Sequence, residues 1–207
     1  MPRQNRVTPF GEILALPERG AWTGNRGCLH DDQGRLGKAR WRSKAWLVCR
    51  LRFKDYRRQV MTPGRWTELF FLDEATALAA GHRPCAFCRR QDFLAFVRAA
   101  ALSFGDQAPS APDLDTRLHA ERLDGGRKRL MRARLGDLPD GAMAVLPGKD
   151  GAWLRWRGAL RRWTPGGYDG ETTLDPRATV ETLTPPATLA ALDGGYVPQV
   201  DGSVTKR

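Results

Sequence analysis

Long apolar runs are missing from this chain of 207 residues. No stretch approaches the roughly 18 uninterrupted apolar residues that a membrane-spanning helix needs, so we expect no membrane span. The first residues, MPRQNRVTPFGEI, lack the apolar core of a secretion signal. These absences favour a cytoplasmic protein. Apolar residues still make up 41% of the chain and include seven tryptophans, which is typical of a folded domain rather than a disordered segment.

Cysteine is also scarce, and the chain has only four: Cys28, Cys49, Cys85 and Cys88. They could in principle form two disulfides, but a reducing compartment disfavours these bonds. A Cys-x-x-Cys pair in that compartment is more typical of a metal or redox site. A thioredoxin-like redox pair follows a strand in a βαβ pattern, whereas Cys85 and Cys88 follow a predicted helix and turn. The sequence therefore favours a metal site.

Acidic residues are few in the first half of the chain. Residues 1–100 carry 19 Lys and Arg against 9 Asp and Glu, a balance of +10, whereas residues 101–207 carry 15 against 14, a balance of +1. Between Arg35 and Arg58 there are ten basic residues and one acidic residue. Such a concentration of basic charge indicates a polyanionic partner. The alternative is a solvated face in an arginine-rich protein, which the 28 arginines and 6 lysines leave open.

Glycine and proline interrupt residues 1–34 so often that we expect a mostly irregular segment without long helices or strands. Five consecutive residues of this segment, 28–32, contain a thiol, an imidazole and two carboxylates: Cys28, His30, Asp31 and Asp32. This density indicates a turn that holds a ligand or faces an anion. The alternative is an ordinary surface loop with one buried cysteine.

Residues 39–60 predict a hairpin or strand pair. Alternation along this segment places four residues on one apolar face: Leu47, Cys49, Leu51 and Phe53. A cysteine on that face is compatible with a structural role and with a metal ligand. The opposite face would carry a basic stripe able to follow a phosphate backbone: Arg50, Arg52 and Lys54.

The stretch Phe70–Arg90 predicts a strand, a short helix, a tight turn and a second helix. Asp73 is a good N-cap for the first helix, and Gly81 is its expected C-terminal stop. Cys85 and Cys88 would open the second helix, where backbone N–H groups favour thiolates. Apolar residues at helical spacing give that helix a buried face: Phe93, Phe96, Val97, Ala100 and Phe104.

The second half of the chain predicts mostly β structure. Residues 105–115, GDQAPSAPDLD, are expected to be a linker because they are polar and contain two prolines. A helical segment follows from about Leu114 to Leu123, and a short helix lies near Ala187–Leu192. Between them, glycine- and proline-rich turns separate four predicted strands, at residues 142–146, 152–156, 159–163 and 179–183.

The segment Phe70–Cys88 resembles the zinc-binding N-terminal domain of the Ada family of DNA alkylation-repair proteins. The last two zinc ligands of that family lie in a segment of the form F-F-x-x-x-x-x-A-L-A-A-G-[FY]-R-P-C-x-x-C. This chain follows the pattern, except that His82 stands where an aromatic residue is usual. The resemblance covers about a tenth of the chain and implies a zinc ion held by Cys85 and Cys88. Similar segments occur as small zinc modules in other bacterial DNA-handling proteins.

The other two ligands do not follow from the family pattern. In that family the first two ligands lie close together, and one of them takes a methyl group from DNA, whereas Cys28 and Cys49 are separated by twenty residues. We predict these two by counting, because four thiolates make a closed tetrahedral site. His30 and His82 are the substitutes if one cysteine does not bind. Methyl transfer is not implied.

These features predict an α+β fold. A zinc-stabilised module of short strands and helices would occupy residues 1–104. A linker would follow at residues 105–115. A small antiparallel β-rich region without an assigned role would occupy residues 116–207.

Three functions are compatible with these features. The first is a zinc protein that contacts DNA or RNA, with phosphate contacts from Arg40, Arg42, Lys44, Arg50, Arg52, Arg57, Arg58, Arg89 and Arg90. Trp41 and Trp46 lie among these charges and could stack on bases, although tryptophan is more often in a core. The second is a DNA-modifying or repair enzyme, a thiol acceptor or metal-dependent hydrolase, with polar candidates around His30 and at His119 and Glu121. The third is a protein-interaction module with purely structural zinc, in which the C-terminal sheet binds another protein.

Overall fold

The computed structural model describes residues 1–55, 59–105 and 107–205. Within these ranges the chain forms two six-stranded sheets, a two-stranded ribbon and four α-helices. The predicted α+β fold with an antiparallel β-rich C-terminal region is confirmed. Among the described residues, no helix has the length and apolar character that crossing a membrane requires.

The first sheet is built from short strands of the N-terminal half. They are β1 (Gln4–Val7), β2 (Ile13–Ala15), β3 (Trp22–Asn25), β4 (Leu47–Arg50), β5 (Leu69–Phe71) and β6 (Arg83–Pro84). Their order in the sheet is β2-β1-β5-β3-β4-β6, with the β1–β5 and β4–β6 pairs parallel. As expected, residues 1–34 are mostly irregular and contain no long helix or strand. The short strands β1 and β3 form because β5, and for β3 also β4, supply hydrogen bonds from later in the chain.

Helix α1 (Glu74–Ala79) lies between β5 and β6, and all of its residues are buried. As predicted, Asp73 caps the helix, because its carboxylate accepts a hydrogen bond from the backbone N–H of Thr76 at 2.8 Å. Gly81 follows with φ at +94°, a left-handed conformation that glycine adopts without strain. The local signals of cap and stop were therefore sufficient to place this helix.

Helix α2 (Arg90–Ala100) begins two residues after Cys88, so the prediction that the cysteine pair opens this helix is wrong. Residues 86–89 form a turn instead. The predicted apolar face is confirmed, because four of its residues are buried: Phe93, Phe96, Val97 and Ala100. Phe104 packs against the same hydrophobic cluster.

Helix α3 (Ala111–Arg122) starts inside the predicted linker. Asp115, on its second turn, is buried and accepts two hydrogen bonds from Arg83, at 2.8 and 2.7 Å. Residues 111–115 therefore belong to a packed helix. A buried ion pair of this kind cannot be inferred from polar composition alone.

The second sheet is entirely antiparallel, in the order β13-β12-β11-β10-β14-β9. It is preceded by the two-stranded ribbon of β7 (Leu123–Asp124) and β8 (Arg127–Lys128). The sheet strands are β9 (Met131–Arg134), β10 (Met143–Val145), β11 (Trp153–Trp156), β12 (Ala159–Thr164), β13 (Gly167–Thr172) and β14 (Thr179–Thr182). The four predicted strands are confirmed as β10, β11, β12 and β14.

The core joins both halves of the chain. Helix α4 (Pro186–Asp193) packs with α2, α3 and the second sheet in one hydrophobic cluster, to which Phe96, Leu114 and Val180 belong. Buried polar contacts add to this, since the Tyr196 hydroxyl donates to Glu74 at 2.6 Å. The division into residues 1–104 and 116–207 stays a prediction, but the two parts share a core.

Candidate metal centre

Pairing of β4 with β6 brings three cysteines together. Val48 lies opposite Pro84 in this parallel pair, so the residues that follow them, Cys49 and Cys85, become neighbours. The backbone N–H of Cys85 donates to the Val48 carbonyl at 3.0 Å, which fixes the start of the cysteine turn. The sulfurs of Cys49, Cys85 and Cys88 lie within 4.8 Å of one another, close enough to hold a metal ion.

The three thiols share hydrogen bonds in a way that favours a thiolate at Cys85. Hydrogen bonds from the thiols of Cys49 and Cys88 lower the pKa of Cys85, and the backbone N–H groups of Phe87 and Cys88 add to this effect. The pKa of Cys49 is raised, because its thiol hydrogen-bonds to Cys85 and Cys88 and is buried. A bound metal ion would take the place of the shared protons, since metal binding releases protons from thiols.

A cavity of about 350 Å³ adjoins the three sulfurs. Its walls include Thr23 and Asn25 on β3 and the aromatic rings of Trp66 and Phe70. Glu68 also lines it, but one of its carboxylate oxygens accepts a hydrogen bond from a backbone N–H, at 2.6 Å. In the part of the chain that the structure describes, no fourth His, Cys, Asp or Glu joins the cysteine group.

Cys28 is not a member of this group, which corrects the predicted four-cysteine site. Its side chain is exposed, and its sulfur lies 3.7 Å from the carbonyl oxygen of His30. The neighbouring Leu29 takes the buried position in the core of the first sheet, so the side chain of Cys28 is left at the surface. Counting cysteines could not distinguish these two positions.

Neither substitute histidine is available as a ligand. Nδ1 of His30 hydrogen-bonds to the Thr67 hydroxyl at 2.6 Å, and its Nε2 donates to a backbone carbonyl at 3.2 Å. Nε2 of His82 accepts from Arg26 at 2.9 Å, and its Nδ1 donates to the Leu47 carbonyl at 3.0 Å. Burial and then the charge of Arg26 hold the pKa of His82 well below its usual range. Both imidazoles are therefore structural.

Most of the predicted phosphate-contact residues are at the surface. The exposed ones are Arg40, Arg42, Lys44, Arg50, Arg52 and Arg90. Arg57 and Arg58 lie outside the described residues. The predicted basic stripe along a strand is wrong, because β4 ends at Arg50 and Leu51 is 50% exposed. Arg50 lines the cavity at the cysteines, whereas Arg40 lines a different cavity, so these charges do not form a single row.

Arg89 is the exception and corrects one prediction. It is 3% exposed and forms ion pairs with Glu74 at 2.7 Å and Asp92 at 2.8 Å. Its guanidinium carbon also lies 4.1 Å from the centre of the Trp22 ring. These contacts leave Arg89 no exposed surface for a phosphate.

Phe53, Lys54 and Phe87 form a surface beside the cysteines that we call the aromatic rim. The sequence analysis did not predict it. Phe87 is 64% exposed, and its ring packs edge-on against that of Phe53 with centroids 5.2 Å apart. The ammonium of Lys54 lies 5.5 and 5.8 Å from the two ring centres. A signal was present in the sequence, since Phe87 is an apolar residue between two predicted ligands.

The polar residues considered for catalysis do not form a catalytic pair. Glu121 accepts a hydrogen bond from the backbone N–H of Ala187 at 2.8 Å, whereas His119 accepts one from the Arg122 guanidinium at 2.8 Å. The two side chains therefore have different partners. Asp31 accepts from two backbone N–H groups of its own turn, chiefly that of Arg35, and this lowers its pKa.

Comparisons of this chain with family models, curated proteins and solved structures found no match. The resemblance to the Ada zinc domain therefore stays a prediction that rests on Phe70–Cys88. Both cysteines that it implies as ligands, Cys85 and Cys88, belong to the group that can hold a metal ion.

Proposed function

We propose that this protein binds a zinc ion through Cys49, Cys85 and Cys88 and contacts nucleic acid with the surface around that site. The observation that carries the proposal is the convergence of three free thiols within 4.8 Å beside an open cavity. Grouped thiols that form no disulfide are typical of metal sites in reducing compartments.

The donor set and its surroundings support zinc. Thiolate sulfur suits zinc and softer metal ions, whereas magnesium and calcium require oxygen ligands. Backbone N–H groups of Phe87 and Cys88 point at the sulfur of Cys85, and that of Arg50 points at Cys88, which stabilises bound thiolates. A bound zinc ion would supply a cross-link between β4 and the turn after β6.

Charge and aromatic surface around the site support nucleic-acid contact. Arg50 lines the cavity, Arg52 is exposed next to it in sequence, and the aromatic rim presents Phe87 to solvent. Exposed rings next to basic side chains are the combination that binds single strands, because bases stack on the rings while the cations contact phosphates. Stacking on a protein ring contributes about 1–3 kcal/mol per base.

Fluorescence anisotropy with a labelled single-stranded oligonucleotide tests this contact. We expect affinity to fall steeply between about 50 and 200 mM salt, because each phosphate contact releases counterions. Phe87→Ala should weaken binding by roughly fivefold or more through lost stacking, while the zinc content stays unchanged.

A matched pair of double variants provides the control. Arg50→Ala/Arg52→Ala should lower the affinity and flatten its salt dependence. Arg132→Ala/Arg134→Ala removes the same charge from exposed positions on β9 and should have little effect. Binding that is indifferent to salt, or equal losses in both double variants, would reject the proposed contact.

A second candidate function is enzymatic, and the number of ligands favours it. Structural zinc is usually held by four protein ligands and catalytic zinc by three, and the described residues supply three. In a thiol-acceptor reaction, a cysteine sulfur would form a bond to a methyl carbon as the bond from that carbon to a phosphotriester oxygen breaks, leaving a phosphodiester.

Mass spectrometry after incubation with a methyl-phosphotriester oligonucleotide tests this candidate. A gain of one methyl group on the protein that is absent from Cys49→Ser, Cys85→Ser or Cys88→Ser would support it. An unchanged protein mass would reject the thiol-acceptor form and leave the binding function.

A further inference from the structure

A second cavity, of about 600 Å³, shares no lining residue with the cavity at the metal centre. We call it the basic cavity. Its cationic lining residues are Arg26, Arg40, Arg122, Arg127 and Lys128. Among its described lining residues, the carboxylate of Glu12 is the only acidic group. The cavity is therefore strongly positive.

Two of these cations are buried without a counter-ion. Arg26 and Arg122 are each 1% exposed. Within the described residues, neither they nor Lys128 take part in an ion pair. Asp115 acts on Arg122 electrostatically, but it already forms a bidentate pair with Arg83. Unpaired buried charge is costly, so an anion at this position would stabilise the protein.

Each buried guanidinium also has one nitrogen that makes no hydrogen bond. Arg26 donates to the Gly11 carbonyl and to His82, both at 2.9 Å, and Arg122 donates to the Gly81 carbonyl at 2.8 Å. These bonds hold both side chains in place. The Nη2 of Arg26 and the Nε of Arg122 are buried and make no hydrogen bond. Because buried polar groups nearly always have partners, an acceptor is missing here.

Aromatic rings hold the cations and extend the cavity. The guanidinium carbons of Arg26 and Arg122 lie 3.8 and 3.9 Å from the centre of the Trp46 ring. Cation–π attraction offsets part of their mutual repulsion. The ring of Trp41 lines the same cavity, is partly exposed and lies 6.3 Å from that of Trp46. It offers a surface on which a planar base can stack.

Lys128 adds a third cation at this position. Its ammonium donates to the backbone carbonyl of Ala79. Burial, followed by the charges of Arg26 and Arg122, lowers the pKa of Lys128 to about 7. The three cations therefore lie close enough to repel one another, and a bound anion would relieve this repulsion.

We infer that the basic cavity binds a phosphate group, with Arg26, Arg122 and Lys128 as its deep contacts and Arg40 and Arg127 at the entrance. A phosphate fits because its several oxygens can accept from more than one guanidinium. This chemistry is shared by a free nucleotide and by the phosphorylated end of a nucleic-acid strand. The inference does not depend on zinc, and with a nucleic-acid end as ligand it deepens the proposed function.

Calorimetric titration of the full chain with inorganic phosphate and with a nucleoside 5′-monophosphate, at constant ionic strength, tests the inference. Arg26 and Arg122 brace backbone carbonyls, so their removal can unfold the protein. The test variant is therefore Arg40→Ala/Arg127→Ala, at two exposed positions, with Lys128→Gln as a deeper second variant. The matched control is Arg132→Ala/Arg134→Ala.

Each ligand should bind the wild type and the control variant with equal affinity. It should bind the test variants roughly tenfold more weakly, because charge-assisted hydrogen bonds to the phosphate are lost. No binding to the wild type, or equal losses in test and control variants, would overturn the inference. A strand that binds better with a 5′-phosphate than without one would identify a nucleic-acid end as the ligand. Binding of the free nucleotide without that preference would identify a small molecule.

The result is separable from the proposed function. Phosphate binding by a protein that fails to bind oligonucleotides would support the basic cavity and reject the nucleic-acid contact at the metal centre. Oligonucleotide binding that depends on Arg50 and Arg52, without phosphate binding, would overturn the inference and support the proposed function.

Discussion

Arg89 and Arg90 are adjacent and carry the same side chain, but the fold gives them different surroundings. Arg90 is exposed at the start of α2, whereas Arg89 is buried against Glu74 and Asp92. Both were predicted as phosphate contacts, because nothing local in the sequence shows that Glu74 of α1 reaches Arg89. The residue type was informative about charge, but its partner depends on tertiary structure.

Arg89→Met should therefore destabilise the protein by about 3–5 kcal/mol, because it leaves the buried carboxylate of Glu74 without its cation. The free energy of unfolding in urea measures this loss. Arg90→Met removes the same charge from an exposed neighbour and should change stability by less than about 0.5 kcal/mol. Lost nucleic-acid affinity with unchanged stability in Arg89→Met would instead support the original assignment as a phosphate contact.

The three grouped cysteines show how far spacing alone can lead. Cys85 and Cys88 were predictable because their separation by two residues is local information. Cys49 was predicted by counting, and its place in the group depends on the pairing of β4 with β6. Cys28 was predicted on the same basis and is exposed. The sequence has no local signal that separates these last two.

Among the elements, those with strong local signals were predictable and those that depend on distant partners were not. The Asp73 cap located α1, and glycine- and proline-rich turns located the four predicted strands of the second sheet between them. Strand β13 (Gly167–Thr172) was missed because its glycines and acidic residues have low β propensity. It forms because β12 pairs with it and the Tyr168 hydroxyl donates to Asp73 at 2.8 Å.

The end of α1 carries a testable constraint at Gly81. A Cβ atom there would lie 2.6 Å from Cδ of Arg122, and the backbone is left-handed. Gly81→Ala should therefore lower the free energy of unfolding by about 2–4 kcal/mol, from backbone strain plus overpacking. Gly64 is the matched control, because its φ is +68° and a Cβ would meet nothing within 4 Å.

Gly64→Ala should therefore lower the free energy of unfolding only by the strain, about 1–2 kcal/mol. Chemical denaturation of both variants gives the comparison. Equal losses would show that Arg122 moves away freely, which contradicts its role as a fixed wall of the basic cavity. Weaker phosphate binding by Gly81→Ala, with Gly64→Ala unchanged, would agree with that role.

At the scale of the whole molecule, both cavities adjoin the pair formed by β3 and β4. Asn25 and Leu47 line the cavity at the metal centre, and their chain neighbours Arg26 and Trp46 line the basic cavity. Arg26 directly follows β3 and Trp46 directly precedes β4, so the basic cavity lies where this strand pair ends. The positive charge of the N-terminal half was visible in the sequence, but the gathering of Arg122, Arg127 and Lys128 from the second half beside Arg26 and Arg40 was not.

Composition did not reveal that a helix begins within residues 105–115. Polar residues and prolines at 105–115 predicted a linker, whereas α3 begins at Ala111 and contributes Leu114 and Leu118 to the shared core. The exposed side of a helix is polar, and so is a linker, so the two have similar compositions. They are distinguished only by what the opposite side of the segment contacts.

The central claim, that three cysteines hold one metal ion, is tested most directly by the zinc content of the purified protein and its single Cys→Ser variants. We predict one zinc ion per chain in the wild type and in Cys28→Ser. Cys49→Ser, Cys85→Ser and Cys88→Ser should each lose most of it. A wild type without zinc, zinc retained in Cys49→Ser, or zinc lost from a folded Cys28→Ser variant would contradict the account.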